Sequence, residues 1–261
     1  MELNLEYTVD EIMDEYFYFL DTPGKCNEYS NHNKIIKLFQ QDIFFKNEKL
    51  LWMDETVRNR LLINRMKYLH KNTFTPDEIL AGFKKSGIYY GYSHFNPLLA
   101  KWFYEYCGTK ISYDPCGGWG HRLLGSLDLN LYIYNDISCQ VYKNVRDIIK
   151  FFDITNVTTY NNDASIFIPN EEFDTIFTCP PYRSLEKYEI TTDNHMMNSL
   201  LQHIYNIYIT RKSCMYLGLV IREDMNILDN YDEKIELIAN NMHFIKRKKY
   251  KEYLYIYKKC K

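Results

Sequence analysis

Short strands alternate with helices along the chain from about residue 97 onward, and this alternation most constrains the fold. Apolar strand candidates lie at residues 110–113, 131–135, 156–160, 173–178 and 215–221, and helical segments separate most of them. Such alternation is typical of βαβ units, in which successive strands run parallel within one sheet. The sequence therefore predicts an α/β domain built on a mostly parallel sheet.

The two ends of the chain differ from this central pattern. Residues 231–241 predict another helix, and residues 243–248 and 253–257 predict a C-terminal antiparallel hairpin that extends the sheet. The first 90 residues contain helical segments, such as residues 55–71 and a second that begins near Thr75. We therefore predict a helical N-terminal extension over residues 1–90 and the α/β domain over residues 91–261.

Cysteine spacing and hydropathy limit the environments in which such a chain works. The seven cysteines are scattered and include no C-x-x-C pair, which argues against a zinc site and favours reduced thiols in the cytoplasm. No apolar run approaches the ~20 residues of a membrane span. The acidic N-terminus also lacks the features of a signal peptide. We therefore expect a cytoplasmic protein without a bound metal or a membrane anchor.

Ligands of open α/β sheets bind outside the carboxyl ends of the strands, and acidic residues follow three of the predicted strands. Asp114 begins the loop DPCGGWG, whose glycines permit a tight turn and close approach to a ligand. Asp136 follows the second strand, 22 residues later, near the spacing at which a carboxylate binds ribose hydroxyls. Asp163 follows the third strand, where it could accept a hydrogen bond from an adenine amino group.

The fourth strand ends in a different kind of loop, Thr178-Cys179-Pro180-Pro181-Tyr182. Its two prolines stiffen the backbone and remove two N–H donors, which leaves carbonyl groups as acceptors. Tyr182 offers a flat ring for stacking. The loop is therefore suited to a planar ligand that donates hydrogen bonds.

DPCGGWG and CPPY, in this order and on these strands, resemble the loops of class I S-adenosylmethionine-dependent DNA amino-methyltransferases. That family carries a D-P-x-x-G-x-G loop and a (D/N/S)-P-P-(Y/F) loop. The longer segments DPCGGWGHRLLG and TCPPYRSLEKY look like those of phage and viral DNA methyltransferases. The resemblance covers roughly residues 92–258. It implies a Rossmann-like class I methyltransferase fold, S-adenosyl-L-methionine as cofactor, and the cytoplasm of a bacterium or a virus-infected cell as the location.

The resemblance also implies roles for the matched residues. The methionine part of the cofactor would be surrounded by Phe95, Asn96, Asp114, Gly118 and Gly120, whereas Asp136 would hold the ribose and Asp163 the adenine. Cys179 and the Pro180 carbonyl would accept the hydrogens of the target amine, next to Pro181, and Tyr182 would stack on the base. These acceptors would localise the nitrogen lone pair for direct methyl transfer to adenine N6 or cytosine N4, in a base flipped out of double-stranded DNA.

Cys179 departs from the family pattern, which has Asp, Asn or Ser at this position. Sulfur is a weak acceptor, so the site could be a weaker polariser, or it could bind cofactor without catalysis as a silent DNA- or protein-binding subunit. A nucleophilic role, as in cytosine C5 methylation, would place the cysteine after a proline, whereas Cys179 precedes Pro180. Methylation of RNA is a further alternative.

Beyond the predicted hairpin we expect no C-terminal region dedicated to recognition of a target sequence. We expect it from residues 1–90, from the loop at residues 183–194, or from a partner protein. Basic residues of the extension are candidates for phosphate contacts, which position a protein without specifying sequence: Arg58, Arg60, Arg65, Lys67 and Lys71. Lys187 and Tyr188 are weaker candidates in the loop.

Overall fold

The computed structural model contains a central sheet flanked by helices on both faces. It describes residues 7–27, 32–40, 54–70, 72–74, 78, 95–181, 194–223, 225, 230–237, 244–245, 248–249 and 251–259. The described strands are β1 (Ile111–Asp114), β2 (Leu131–Asn135), β3 (Val157–Tyr160), β4 (Thr175–Thr178), β5 (Tyr216–Arg222), β6 (Glu233–Leu237), β7 (Phe244–Ile245), β8 (Lys248–Lys249) and β9 (Glu252–Lys258). The described helices of more than one residue are α1 (Val9–Asp21), α2 (Lys34–Phe39), α3 (Glu55–Leu69), α4 (Pro97–Cys107), α5 (His121–Leu124), α6 (Cys139–Phe151) and α7 (Asn194–Thr210).

The main sheet has seven strands in the order β3-β2-β1-β4-β5-β9-β6. The first five run parallel, and β9 runs antiparallel to both of its neighbours, β5 and β6. This is a Rossmann-like α/β architecture with a mostly parallel sheet and antiparallel C-terminal strands, as predicted. The carboxyl ends of β1 to β4 therefore meet at one edge of the sheet, which brings the loops that follow them together.

The pairing of the C-terminal strands differs from the prediction. Residues 233–237 form β6 rather than part of a helix, although Glu and Lys favour helices, because pairing with β9 overrides that propensity. Their burial alternates along the strand, which is the period of an extended chain. The described residues of the predicted hairpin strand 243–248 pair elsewhere: β7 pairs with β8, and β9 lies between β5 and β6.

Two other helix predictions have different outcomes. Between the first two strands, where the alternation predicts a helix over residues 121–127, the chain forms only a single turn, His121–Leu124, and a Cβ at the following Gly125 would lie 2.3 Å from the Pro97 carbonyl oxygen. This close packing against α4 leaves no room for a longer helix with ordinary side chains there. The helix predicted from Thr75 lies largely outside the described residues.

Alternating side chains divide the sheet between two hydrophobic clusters. Tyr132 and Tyr134 of β2 face the cluster that includes α4 and α6, whereas Ile133 between them faces the cluster formed with α7. The same alternation holds in β9, where Ile256 and Tyr257 belong to opposite clusters. Both faces of the sheet are thus covered, as a mostly parallel sheet requires.

The described part of the predicted N-terminal extension packs on the first of these clusters. Ile36 of α2 is fully buried in it, and the Lys101 ammonium of α4 donates hydrogen bonds to the carbonyls of Phe19 (3.1 Å) and Leu20 (2.8 Å). These helices therefore share the core of the sheet. The boundary near residue 90 lies outside the described residues and stays a prediction. No helix in the described part of the chain is long and apolar enough to cross a membrane.

Candidate functional site

Asp114 lies at the carboxyl end of β1 and is completely buried. One carboxylate oxygen accepts hydrogen bonds from the Arg122 Nε (2.6 Å) and the Tyr132 hydroxyl (2.6 Å). The other accepts from the Thr178 hydroxyl (2.8 Å), the Cys116 N–H (3.3 Å) and the Arg122 Nη2 (3.4 Å). A carboxylate has about four lone-pair sites, so these five contacts leave none for a ligand. Asp114 therefore joins the ends of β1, β2 and β4 inside the protein.

Arg122 of α5 provides the positive charge of this buried network. Its side chain also donates a hydrogen bond from Nη2 to the Cys116 carbonyl, and the guanidinium carbon lies 5.0 Å from the centre of the Phe95 ring. Burial disfavours the charged form, but the neighbouring Asp114 charge outweighs it and holds the pKa of Arg122 above its ordinary value, with smaller contributions from Tyr132 and Cys179. The pair is thus charged and buried, a geometry in which each partner depends on the other.

The glycine loop after β1 has one crowded face and one open face. A Cβ at Gly117 would lie 2.1 Å from the Tyr134 ring, so only glycine fits there. Gly118 has a φ of +58°, and among the described residues a Cβ there would meet only the Cys116 carbonyl oxygen, at 3.9 Å. Gly120 has a φ of +95° and packs near Val145 of α6. The backbone at Gly118 is therefore open to close approach by a ligand.

Asp136, after β2, lies beside this open face and is partly buried. One carboxylate oxygen accepts a hydrogen bond from the Gly118 N–H (2.9 Å) and the other from the Ser138 N–H (2.8 Å). Each oxygen retains a lone pair for another donor. Burial raises the pKa of Asp136 to about 6, against the lowering effect of the hydrogen bonds from the Ser138 and Gly118 backbones.

Asp163 follows β3 and is exposed. One of its carboxylate oxygens accepts hydrogen bonds from the Ser165 N–H (2.8 Å) and hydroxyl (2.7 Å), which shapes the turn. The buried amide of Asn135 links this loop to the glycine loop by donating to the Pro115 and Asn162 carbonyls, each at 3.0 Å. Asn135 also accepts a hydrogen bond from the Asn162 N–H at 3.0 Å. The two loops are therefore held beside each other.

The loop after β4 is described as far as Pro181. Cys179 is partly buried and packs against both hydrophobic clusters, and Pro180 is buried. Thr178 connects this loop to the first one, because its hydroxyl donates to Asp114 and accepts from the Cys116 N–H at 3.3 Å. The predicted stacking residue, Tyr182, lies outside the described residues, as do Lys187 and Tyr188.

Phe95 and Asn96 stand at the start of α4. The Phe95 ring contacts Phe177 edge-on, with ring centres 5.9 Å apart, besides its contact with Arg122. The Asn96 side chain accepts a hydrogen bond from the Leu98 N–H (3.0 Å) and so caps the helix. Phe95 is thus next to the glycine loop, whereas the observed contact of Asn96 stabilises the helix.

The candidate phosphate-binding residues of α3 do not share one surface. Arg60 and Lys67 are exposed, whereas Arg65 is buried, with its guanidinium carbon 5.5 Å from the Tyr68 ring centre. Arg58 is partly buried, and Lys71 lies outside the described residues. Among described side chains, no group of three His, Cys, Asp or Glu residues could hold a metal ion.

Three residues that organise the site were not assigned by sequence reasoning. Arg122 and Asn135 are buried polar residues at the carboxyl edge of the sheet, and Gln40 donates from its amide to the Trp119 carbonyl at 3.2 Å. An Asn that closes the apolar strand LYIYN is a signal that could have been recognised, because buried polar groups need partners. The contact of Gln40 joins positions 79 residues apart, and no local pattern predicts it.

Comparisons with known proteins identify similar structures but no related sequence. No protein-family model matches the chain, and no curated protein sequence matches it. The crystal structure of a dimethyladenosine transferase from Plasmodium falciparum is 12% identical, with 63% of this chain and 62% of that chain covered and a TM-score of 0.43. The N-terminal domain of human METTL16 is 8% identical, with 60% and 67% covered and a TM-score of 0.43. TrmN from Thermus thermophilus is 13% identical, with 62% and 48% covered and a TM-score of 0.42. Similarities this low do not carry a function to this chain.

Proposed function

We propose that this chain is an S-adenosylmethionine-dependent methyltransferase that modifies an exocyclic base amine in DNA, at adenine N6 or cytosine N4. One observation carries the proposal: the open backbone at Gly118, the Asp136 carboxylate and the start of the loop after β4, residues 178–181, meet at one edge of the sheet. This is the edge at which open α/β sheets bind ligands.

The residues at this edge fit the cofactor. Asp136 is fixed by two backbone N–H groups and still has acceptor capacity for two ribose hydroxyls. Asp163 is exposed in the neighbouring loop, where its second carboxylate oxygen accepts no hydrogen bond from any described residue and suits the adenine amino group. The Trp119 side chain packs in the hydrophobic cluster with Ile36 and Val145.

The chemistry assigned to this chain is alignment and polarisation. The cofactor, when bound, supplies an electrophilic methyl group. The Cys179 sulfur and the Pro180 carbonyl would accept the two hydrogens of the target amine and localise its lone pair. Cys116 is not suited to be a thiolate nucleophile, because burial and the nearby Asp136 and Asp114 raise the pKa of its thiol.

DNA is favoured over RNA by the resemblance of DPCGGWGHRLLG and TCPPYRSLEKY to viral DNA methyltransferases. The exposed Arg60 and Lys67 of α3 are candidates for phosphate contacts that position the duplex. The target base would be flipped out of the stack, at a cost of a few kcal/mol. A partner protein is proposed to supply sequence recognition, since phosphate contacts alone carry no sequence information.

A silent binding subunit is the second candidate, and Cys179 is the observation that favours it. A thiol is a weaker hydrogen-bond acceptor than the carboxylate, amide or hydroxyl of the family pattern. A subunit of this kind would bind cofactor through Asp136 and yet transfer no methyl group.

Tritiated S-adenosylmethionine with unmethylated DNA, and separately with RNA, distinguishes these functions once the labelled nucleoside is identified by mass spectrometry. We expect label in DNA as N6-methyladenine or N4-methylcytosine. Label in RNA alone would replace the DNA substrate, and cofactor binding without any label would favour the silent subunit.

Substitutions at Cys179 test the mechanism within the same assay. Cys179→Ala removes the acceptor and should abolish transfer while cofactor affinity is retained. Cys179→Ser, the matched control, restores an oxygen acceptor of similar shape and should retain or increase the rate. Full activity of Cys179→Ala would show that this loop does not polarise the amine.

A further inference from the structure

The Arg122 guanidinium has more donors than the protein uses. It carries five N–H groups, and three of them are engaged: Nε and Nη2 donate to Asp114, and Nη2 also donates to the Cys116 carbonyl. No described residue accepts a hydrogen bond from Nη1. The residue is only 4% exposed, yet Nη1 is not one of the fully buried unpartnered atoms among the described residues, so it keeps a small opening to solvent. A buried charged group with donors left over is unusual, because buried polar groups are normally satisfied.

The position of Arg122 indicates what its remaining donors face. Its guanidinium contacts the Phe95 ring and the Cys116 carbonyl, so it lies between the start of α4 and the glycine loop. These are the elements that surround the methionine part of the cofactor in the proposed function. The methionine part ends in a carboxylate, the acceptor that Arg recognises best.

Asp114 cannot take a direct part in holding that end of the cofactor. Its carboxylate already accepts five hydrogen bonds from the protein, and it faces the Nε and Nη2 side of Arg122. The Nη1 side is left for a second anion. The ion pair thus fixes the orientation of the guanidinium, and the fixed guanidinium presents Nη1 without further loss of side-chain entropy.

We propose that Arg122 binds the carboxylate of the methionine part of the cofactor through Nη1 while its other donors hold the glycine loop. This inference rests on the proposed function, since it concerns the same cofactor. In this proposal Arg122, and not Asp114, contacts the methionine end of the cofactor. Asp114 instead orients the Arg122 side chain.

Two ligands that differ only at the carboxylate test this contact by calorimetry. S-adenosylhomocysteine carries the carboxylate, and its carboxamide is the neutral counterpart. A charge-assisted hydrogen bond contributes ~1.5–3 kcal/mol, so the wild-type protein should bind S-adenosylhomocysteine roughly tenfold to hundredfold more tightly than the carboxamide. Failure of the wild-type protein to bind either ligand would overturn the proposed function and the Arg122 contact together, whereas equal binding of both ligands would overturn the Arg122 contact alone.

Variants then assign the preference to Arg122. Arg122→Lys keeps a positive charge beside Asp114 but has no group equivalent to Nη1. This variant should therefore fold and bind the two ligands with nearly equal affinity. The double variant Arg122→Gln with Asp114→Asn removes both buried charges together. It should also bind the two ligands with nearly equal affinity. Asp136→Asn is the matched control, because it should weaken both ligands by the same factor and leave their ratio unchanged. Retention of the wild-type ratio in both folded Arg122 variants would overturn the proposal.

Discussion

Asp114 and Asp136 stand at the carboxyl ends of neighbouring strands, yet the structure surrounds their carboxylates differently. Asp114 is completely buried, and side chains from β2, β4 and α5 donate to it. Asp136 is partly buried, and two backbone N–H groups donate to it. The first carboxylate has no acceptor capacity left, whereas the second has some on both oxygens. The same sequence signal thus marks a carboxylate occupied by protein donors at one strand end and, at the next, a carboxylate with spare acceptor capacity that we propose binds the cofactor.

The partners of the two residues explain this difference. Asp114 faces Arg122, so its charge is compensated inside the protein, and the pair joins loops that belong to different strands. Asp136 has no ion-pair partner among the described residues, and its raised pKa reflects a carboxylate held in a partly dehydrated place. An uncompensated carboxylate of this kind is suited to donors that arrive with a ligand.

The largest effect is expected for Asp114→Ala. This change leaves Arg122 buried without its partner and removes an acceptor from the Tyr132 and Thr178 hydroxyls, so unfolding free energy should fall by ~3–5 kcal/mol. Urea denaturation followed by circular dichroism measures the loss. Asp136→Ala is the matched control and should cost far less. Equal losses in the two variants would remove the distinction between the two carboxylates.

Gly117 lies in the loop that follows Asp114, so a substitution there perturbs the packed surroundings of that carboxylate. A Cβ there would lie 2.1 Å from the Tyr134 ring, so Gly117→Ala forces a shift in a packed loop and should cost ~1–3 kcal/mol. Gly108→Ala is a useful control because a Cβ added there would meet no atom of a described residue within 4 Å, although the φ of +63° is strained for alanine. A smaller loss at Gly117 than at Gly108 would mean that the loop yields easily.

The sequence predicts the parallel part of this fold well and its closing strands poorly. The strand 131–135 and the helix from Pro97 follow from local apolar patterns and from the capping preferences of Asn96 and Pro97. The pairing of residues 233–237 with β9 is a long-range contact that overrides local helix propensity, and no nearby residue signals it.

For the candidate site, the sequence predicts where the acidic residues lie but not what each of them does. The position of each acidic residue at a strand end follows from the sequence, because the carboxyl ends of parallel strands share one edge. Its task does not follow, since that depends on which side chains reach it from elsewhere. Thr178 reaches Asp114 across 64 residues, and this contact emerges only from the three-dimensional arrangement.

Asp136, the second carboxylate of this pair, should make both stability and ligand binding depend on pH. Burial raises the pKa of Asp136 from 3.8 to about 6, so between these values the folded protein holds a proton that the unfolded chain has released. The contribution of Asp136 to stability is therefore greatest below this window and is lost as pH rises through it. Ligand binding should follow the opposite trend, because only the carboxylate accepts hydrogen bonds from both ribose hydroxyls.

Calorimetry with S-adenosylhomocysteine at pH 5 and pH 8 measures this second trend. Affinity should be about tenfold higher at pH 8, since one proton must leave a group whose pKa is about 6. Asp136→Asn should bind weakly at both values and lose this part of the pH dependence of unfolding. If the variant kept the wild-type pH profile of binding, the ribose contact would have to be assigned to another residue.

The smallest effect is expected at Asp163, which is exposed and shapes a turn through Ser165. Asp163→Ala should change the unfolding free energy by only about 0.5–1 kcal/mol.

Its effect on ligand choice is more specific. A carboxylate that accepts from the adenine amino group favours S-adenosylhomocysteine over S-inosylhomocysteine, which carries a carbonyl oxygen there. A hydrogen bond to a charged group contributes about 1.5–3 kcal/mol, and the low end applies at an exposed site, so the variant should lose roughly tenfold of this preference. Ser165→Ala weakens the same turn without removing the carboxylate and should leave the preference intact. If Ser165→Ala reduced the preference as much as Asp163→Ala did, the shape of the turn would account for adenine selectivity, and Asp163 would resemble Asp114 more than Asp136.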